Sequence, residues 1–285
     1  MNSSLPRRPS AAGLFYPADP DDLRRSVDTM LEAVPRSDSP GLVRMVLSPH
    51  AGYEYSGAIA SAVFQRLRGQ GVDTVVLVGP SHVEQFDHTS VYTGVAYDTP
   101  LGPVAVNRDL ANRIAGGHST IVASENGHVQ PRLSRGEHGL EVQLPFLQRT
   151  HPDVTIVPIV MGVQDWEHCA ALGETLLTHC PSDVVLLASS DLSHFYDYEH
   201  ARRLDGVFLE TLAELDPKRI FDGIRDGRCE ACGSGPVIAT LIASLESGVR
   251  YHEIARANSG DVTGDLTSVV GYASAVVELP WLSHA

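Results

Sequence analysis

The sequence predicts an α/β fold: one domain over residues 1–285, with a largely parallel central sheet flanked by helices. Three observations predict it. Strand-length apolar runs rich in Val, Ile and Leu, closed by Pro, Gly or Ser, recur along the chain. Segments with helical spacing lie between them, the alternation that builds parallel sheets. No internal repeat or low-complexity linker divides the chain, and the loop-like PRSDSPG at 35–41 is too short to separate domains.

The elements follow in order. Residues 43–47 form a strand closed by Ser48-Pro49. Residues 57–68 form a helix with Ile59, Val63 and Leu67 on one face. Residues 74–78 form a buried strand ended by Gly79-Pro80. Segments 90–92 and 104–106 are short strands around the turn TPLGP, and 109–114 is a short helix. Residues 137–148 read as a helix with Leu140, Leu144 and Leu147 toward the core and a kink at Pro145. A strand at 154–160, a helix at 166–179 and a strand at 184–188 continue the alternation. Helices near 198–215, 217–225 and 234–246 and strands at 251–257 and 268–277 complete the chain.

Composition excludes some partners. With 43% hydrophobic and 20% charged residues the chain is ordinary globular material. Its 35 acidic against 21 basic residues give a formal charge of −14, which disfavours nucleic acid or an anionic membrane surface as the main partner. The pairs Arg7-Arg8, Arg24-Arg25 and Arg202-Arg203 read as solvated surface. No apolar run reaches the roughly 18 residues of a membrane span, and MNSSLPRRPSAAG lacks the apolar core of a secretory signal. A cytoplasmic protein with four free thiols is expected. Cys169 and Cys180 belong to core packing; Cys229 and Cys232 form a C-x-x-C without the second pair a structural zinc site needs.

Chemistry gathers at the strand ends. LSPH, GPSH and SSDLSH place His50, His82 and Asp191 with His194 just beyond three strong strands. In a parallel sheet those ends share one edge, where α/β proteins bind ligands. One such histidine is ordinary loop structure; three on small-residue loops point to a shared polar site. His138 and Glu141, three apart on the expected helix, would share a face, with Glu137 as a capping group. Neutral imidazole is the commonest metal ligand. Beside His50 and His82 a third ligand is needed, and Asp191, Glu141 and a thiolate are the candidates. A metal-free His/Asp acid–base site fits the same spacing. No serine lies in G-x-S-x-G. GSGP at 233–236 is a fragment of an anion-binding motif or simply a helix start.

The stretches RRPSAAGLFYPADPDDL, SPHAGYEYSG, GPSH, TPLGPVAV, EHGLEVQLPFL, SSDLSHF and CGSGP, in this order, resemble the Memo family, whose members are also called AmmeMemoRadiSam system protein B. That family is similar in fold to class III extradiol (LigB-type) dioxygenases, non-haem iron enzymes with two histidines and a carboxylate. The resemblance implies that His50, His82 and Cys232 are metal ligands, with Cys232 where the dioxygenases have a glutamate. It implies that His194 is the acid–base residue, with Asp191 orienting it, and leaves Cys229 without a role. Tyr53, Tyr55, His138 and Glu141 are candidate lining residues of the cleft. A thiolate in place of a carboxylate favours softer metals and makes the site oxidisable. Softness favours zinc and copper(I) without forbidding iron; as a redox protein of this resemblance the chain is expected to hold iron or copper, with zinc as the alternative. The implied function is that of a metal-binding, dioxygenase-like oxidoreductase. The alternatives are a zinc-dependent hydrolase and a non-catalytic module binding a small molecule or peptide. AMMECR-type and radical-SAM proteins are the partners the family name implies.

Overall fold

The computed structural model describes residues 5–35, 41–129 and 136–279. The expected loop at 35–41 lies almost entirely outside them. The chain begins with α1 (Pro20–Ala33), β1 (Leu42–Ser48), α2 (Tyr53–Leu67), β2 (Thr74–Pro80), β3 (Thr89–Val91), β4 (Ala96–Thr99) and β5 (Gly102–Ala105). It continues through α3 (Arg108–Ala115), β6 (Ile121–Ala123), a 3-10 turn (Glu141–Gln143), α4 (Leu144–Thr150), β7 (Thr155–Met161) and α5 (Trp166–His179). Then come β8 (Val185–Ser189), β9 (His194–Tyr196), α6 (Tyr198–Ala213), α7 (Pro217–Arg225) and α8 (Ser234–Ile242). The chain closes with β10 (Arg250–Asn258), α9 (Ser259–Thr263) and β11 (Val269–Leu279).

The main sheet is ordered β10-β11-β1-β8-β2-β7-β3-β6, with β9 paired to β11; β4 and β5 form a separate hairpin. Its centre, β1-β8-β2-β7, is parallel. The edges are mixed, since β11 runs antiparallel to both β1 and β10, and β3 to β7. The registers Leu47↔Ala188, Val78↔Ala188 and Val78↔Ile159 align the carboxyl ends of the four central strands. Strands buried on both faces read as continuous apolar runs, and β2 and β8 are buried throughout. On the helical layers α1 packs with α2 and α4, and α5 with α8.

Several elements differ from the sequence reading. No element was expected before residue 43, yet α1 carries a strong start signal: Asp19 accepts N–H bonds from Asp21 and Asp22, Pro20 stands in the first turn, and Leu23, Val27 and Leu31 are buried. Strands β4, β6 and β9, each four residues or fewer, were also missed. The expected helix at 137–148 starts later, as the 3-10 turn and α4. Pro145 stands in the first turn of α4, where its missing N–H costs nothing, so it begins the helix rather than kinking it. His138 therefore precedes the helix and does not share a helical face with Glu141. The C-terminal elements end at β11 with Leu279 as the last described residue.

Candidate metal centre

The loops leaving β1, β2 and β8 meet at one point, joined by the segment that leads into α8. His50 is buried, and every polar atom of its backbone N–H and ring is engaged. Its N–H donates to Asp191 Oδ1 (2.7 Å), and its Nδ1 lies 2.9 Å from Ser189 Oγ. Ser189 Oγ has one proton, and this goes to the Gly139 carbonyl at 2.5 Å, which can only accept. Ser189 must therefore accept from His50, as it does from Gln143 Nε2 at 3.0 Å. His50 consequently carries its proton on Nδ1. Its Nε2 lone pair points at Cys232 Sγ, 3.3 Å away. Gln143 anchors the arrangement by donating to the Pro49 carbonyl (2.9 Å) and accepting from Ser48 Oγ (2.8 Å).

His82 is held by one carboxylate. Glu137 Oε2 accepts the His82 N–H at 2.6 Å, and Oε1 lies 2.9 Å from His82 Nδ1. The same Oε1 accepts the N–H groups of His138 and Gly139, each at 2.9 Å. Burial alone would raise the Glu137 pKa, but the bond to His82 and the neighbouring imidazoles hold it near 2. His82, whose side chain keeps 27% of its exposure, opens the site to solvent. Burial works against its charge, yet the bonds to Cys232 and Glu137 raise its pKa to about 10. Nδ1 is thereby committed to Glu137 and Nε2 faces the thiol, the pattern by which carboxylates orient metal-binding histidines. The rings of His50 and His82 lie 4.9 Å apart, nearly perpendicular.

Cys232 reaches the cluster because its loop is tied down on both sides. Its N–H donates to the Asp191 carbonyl (3.2 Å), and its own carbonyl accepts from Gln164 Nε2 (2.9 Å). Gly233 follows so closely on β8 that a Cβ there would lie 2.5 Å from the Ser189 carbonyl oxygen. The Gly233 N–H is taken by Ser190 Oγ and the Gly235 N–H by Gln164 Oε1, so these two amides of the GSGP segment serve the protein's own side chains. Burial pushes the Cys232 thiol up, but His50 and His82 bring its pKa down to about 6, and the Asp191 N–H points at its sulfur from 3.3 Å. Cys169 and Cys180, buried without such neighbours, are raised to about 12 and about 11. Cys229 is buried and also raised.

The ligand atoms of His50, His82 and Cys232 lie within 4.8 Å of one another. Two imidazoles turned to one point and one easily ionised thiol are a donor set that fits a transition-metal ion once His82 gives up its proton. His138 stands beside them, 5.4 Å from the His50 ring and 4.9 Å from His82, stacked on Phe15 at 4.1 Å. Burial lowers its pKa to about 3, which keeps it neutral. With His82 and Glu137 it forms a second group of donor atoms within 4.8 Å.

The other candidates lie elsewhere. Glu141 is fully buried and turned toward the N-terminal segment. There it pairs with Arg7 and accepts from the N–H groups of Ser10 and Ala11 (2.8 Å each) and the Tyr16 hydroxyl (2.5 Å). Arg7 is thus core, not solvated surface, because a buried carboxylate requires its countercharge. Arg7 also donates to the Glu137 carbonyl at 2.5 Å and the His128 carbonyl at 2.7 Å, bracing the segment that holds His82. Tyr53 sits in the first turn of α2, its hydroxyl spent on the Val142 carbonyl (2.7 Å) and its ring on Phe146. Tyr55 is half-buried and bonded to Glu54. Asp191 is buried, which raises its pKa to about 6, and it serves the His50 backbone. No hydrogen bond joins it to His194 among the described residues. His194 instead neighbours Glu230, whose Oε1 accepts the His194 N–H at 3.3 Å and lies 3.9 Å from Nδ1. Glu137, Ser189, Gln143 and Glu230 were missed as site residues. Only Glu137, in the EHGLE stretch, carried a signal, and it was read as a cap.

Fold and site define a class: an α/β protein that gathers two imidazoles from strand-end loops and a thiol from a helix start. A family model described as Memo-like protein matches residues 7–276. A MEMO1 family protein of Methanosarcina barkeri is 37% identical over 95% of this chain and 100% of its own. One of Sulfolobus acidocaldarius is 34% identical over 94% of this chain and 98% of its own. The chain belongs to the Memo-like protein family. A crystal structure of an uncharacterized protein from Escherichia coli K12 shares the fold, with TM-score 0.52 at 13% identity over 82% of this chain and 99% of that one. No helix among the described residues is long and apolar enough to cross a membrane.

Proposed function

We propose that the protein is a metal-dependent redox protein that holds one iron or copper ion with His50 Nε2, His82 Nε2 and Cys232 Sγ. The observation that carries this reading is the mutual approach of these three atoms within 4.8 Å, with both histidine Nδ1 atoms engaged elsewhere. A thiolate beside two imidazoles favours a soft or redox-active ion over magnesium or calcium. When bound, iron or copper supplies one-electron chemistry, and zinc would supply Lewis-acid chemistry instead. The protein's own groups do the rest. Ser189 and Glu137 fix the imidazoles, His50 and His82 favour the ionised Cys232, and His82 is the open side by which a small ligand arrives. His194, half-buried and held by Glu230 on the segment that follows Asp191, is placed to exchange protons with solvent.

The test is metal analysis of protein purified without oxygen. Iron or copper near one per chain, lost in His50→Ala, His82→Ala and Cys232→Ser, supports the reading. Zinc alone would favour a hydrolase. No stoichiometric metal would leave a ligand-binding module and remove the redox assignment.

A further inference from the structure

A second pocket, of about 220 Å³, opens between the start of α6, the end of β10 and β11. Its polar lining is of both signs. At its floor Asp205 is only 6% exposed; its Oδ1 accepts the Ser193 N–H at 3.0 Å, and the carboxylate is also bonded to the Ser193 side chain. It forms no ion pair among the described residues, although a buried carboxylate ordinarily has one. Beside it Asn258 is 2% exposed; its Oδ1 caps Gly260 N–H at 2.9 Å, and its Nδ2 has no partner among the described residues. Buried charges are ordinarily paired and buried amides bonded, so a carboxylate without a countercharge and an amide donor facing one cavity mark places where a ligand supplies the partners. At the mouth stand Arg202, which lies 5.7 Å from the Tyr198 ring, and Arg256, which pairs with the exposed Glu253 at 3.3 Å. Tyr198 is fixed there by its hydroxyl bond to Asp261 at 2.8 Å.

We infer that this pocket binds a small zwitterion of the α-amino acid class, its ammonium on Asp205 and its carboxylate between Asn258 Nδ2, Arg202 and Arg256. With Asp205 at the floor and Arg202 and Arg256 at the mouth, and with Asp261 taken up by the Tyr198 hydroxyl and the Asn258 N–H, the pocket suits a cationic end inward and an anionic end outward. The volume lies below the roughly 300–1,000 Å³ usual for drug-sized ligands, which points to a small metabolite rather than a nucleotide or folded partner. None of the pocket's residues belongs to the His50–His82–Cys232 cluster, so this site stands independently of the metal assignment.

The probe is the set of twenty proteinogenic amino acids, titrated calorimetrically into the full chain, each hit compared with its amine-only and acid-only analogues. At least one amino acid should bind with Kd below about 1 mM, and each single-charge analogue should bind roughly tenfold more weakly or worse. Asp205→Asn keeps an acceptor for the Ser193 N–H, and Arg202→Gln changes only the exposed rim. Each should weaken binding roughly tenfold, whereas His50→Ala should leave it unchanged. Arg202→Gln carries the test should Asp205→Asn not fold. The inference is overturned if no amino acid binds by about 10 mM, if both pocket variants bind as wild type does, if an amine-only analogue binds as well, or if His50→Ala abolishes the binding.

Discussion

Replacing Glu137 by Gln isolates the role of one carboxylate. The side chain keeps its shape, but all four of its hydrogen bonds are accepted ones: His82 N–H and Nδ1–H, His138 N–H and Gly139 N–H. A glutamine must present an NH₂ at one of the two oxygen positions. Placed at Oε2 it meets the His82 N–H; placed at Oε1 it meets three donors. At least one buried donor thus loses its partner, which costs about 1–3 kcal/mol in the metal-free protein. The orientation and basicity of His82 fall with it, and loss of such a supporting carboxylate lowers metal affinity about 10–100-fold. The stability effect also has a pH signature. Glu137 titrates near 2 when folded, below its ordinary 4.5, so its contribution is present above about pH 4.5 and is lost as pH falls toward 2. The variant should lack that slope. Chelator competition gives the affinity, and urea denaturation at several pH values gives the stability. An affinity within twofold of wild type, with an unchanged acid slope, would refute the role given to Glu137.

In metal-free protein Cys232 should alkylate with a half-maximal rate near pH 6, while Cys169 and Cys180, raised to about 12 and about 11, stay unlabelled until unfolding; mass spectrometry of pH-stepped labelling reads both, and equal rates would sink the thiolate assignment. Metal affinity should rise with pH from about 6 to about 10, because His82, raised to about 10, and the Cys232 thiol must both lose protons to bind; a flat proton-release profile by calorimetry would contradict this. Arg7→Met strands Glu141 as a buried charge and should destabilise by about 3–5 kcal/mol, read by urea denaturation, with a loss under about 1 kcal/mol arguing against the buried pair. Gly233→Ala sets a methyl against the Ser189 carbonyl, displaces the Cys232 loop and should weaken metal binding more than it alters overall secondary structure; wild-type affinity would show that the loop can yield.

The parallel centre of the sheet was legible because its strands are buried on both faces and so read as unbroken apolar runs. The convergence of His50 and His82 followed from parallel topology alone, since both leave carboxyl ends of parallel central strands, β1 and β2, on either side of β8. Cys232 was not reachable that way: it approaches from a helix start, and only its resemblance to a family motif singled it out. The Glu141 cleft role failed because a three-residue spacing was read as a shared helical face where the backbone is not yet helical. Its true partner, Arg7, is 134 positions away, and no local pattern announces a contact of that range. Helix α1 was legible but overlooked, with Asp19-Pro20 and the Leu23, Val27, Leu31 spacing all present. Short strands such as β6 and β9 lack the length for a period to show, and pairing with a neighbour is what makes them strands.

The central claim is that two imidazoles and one thiolate of this chain share a single metal ion. X-ray absorption at the edge of the bound metal, on protein purified without oxygen, tests it most directly. One sulfur neighbour at about 2.3 Å and two imidazole nitrogens at about 2.0–2.1 Å are expected for a zinc-sized ion, with the sulfur scatterer gone in Cys232→Ser and one imidazole gone in His82→Ala. A shell of oxygen and nitrogen alone in the wild-type protein, unchanged in Cys232→Ser, would contradict it.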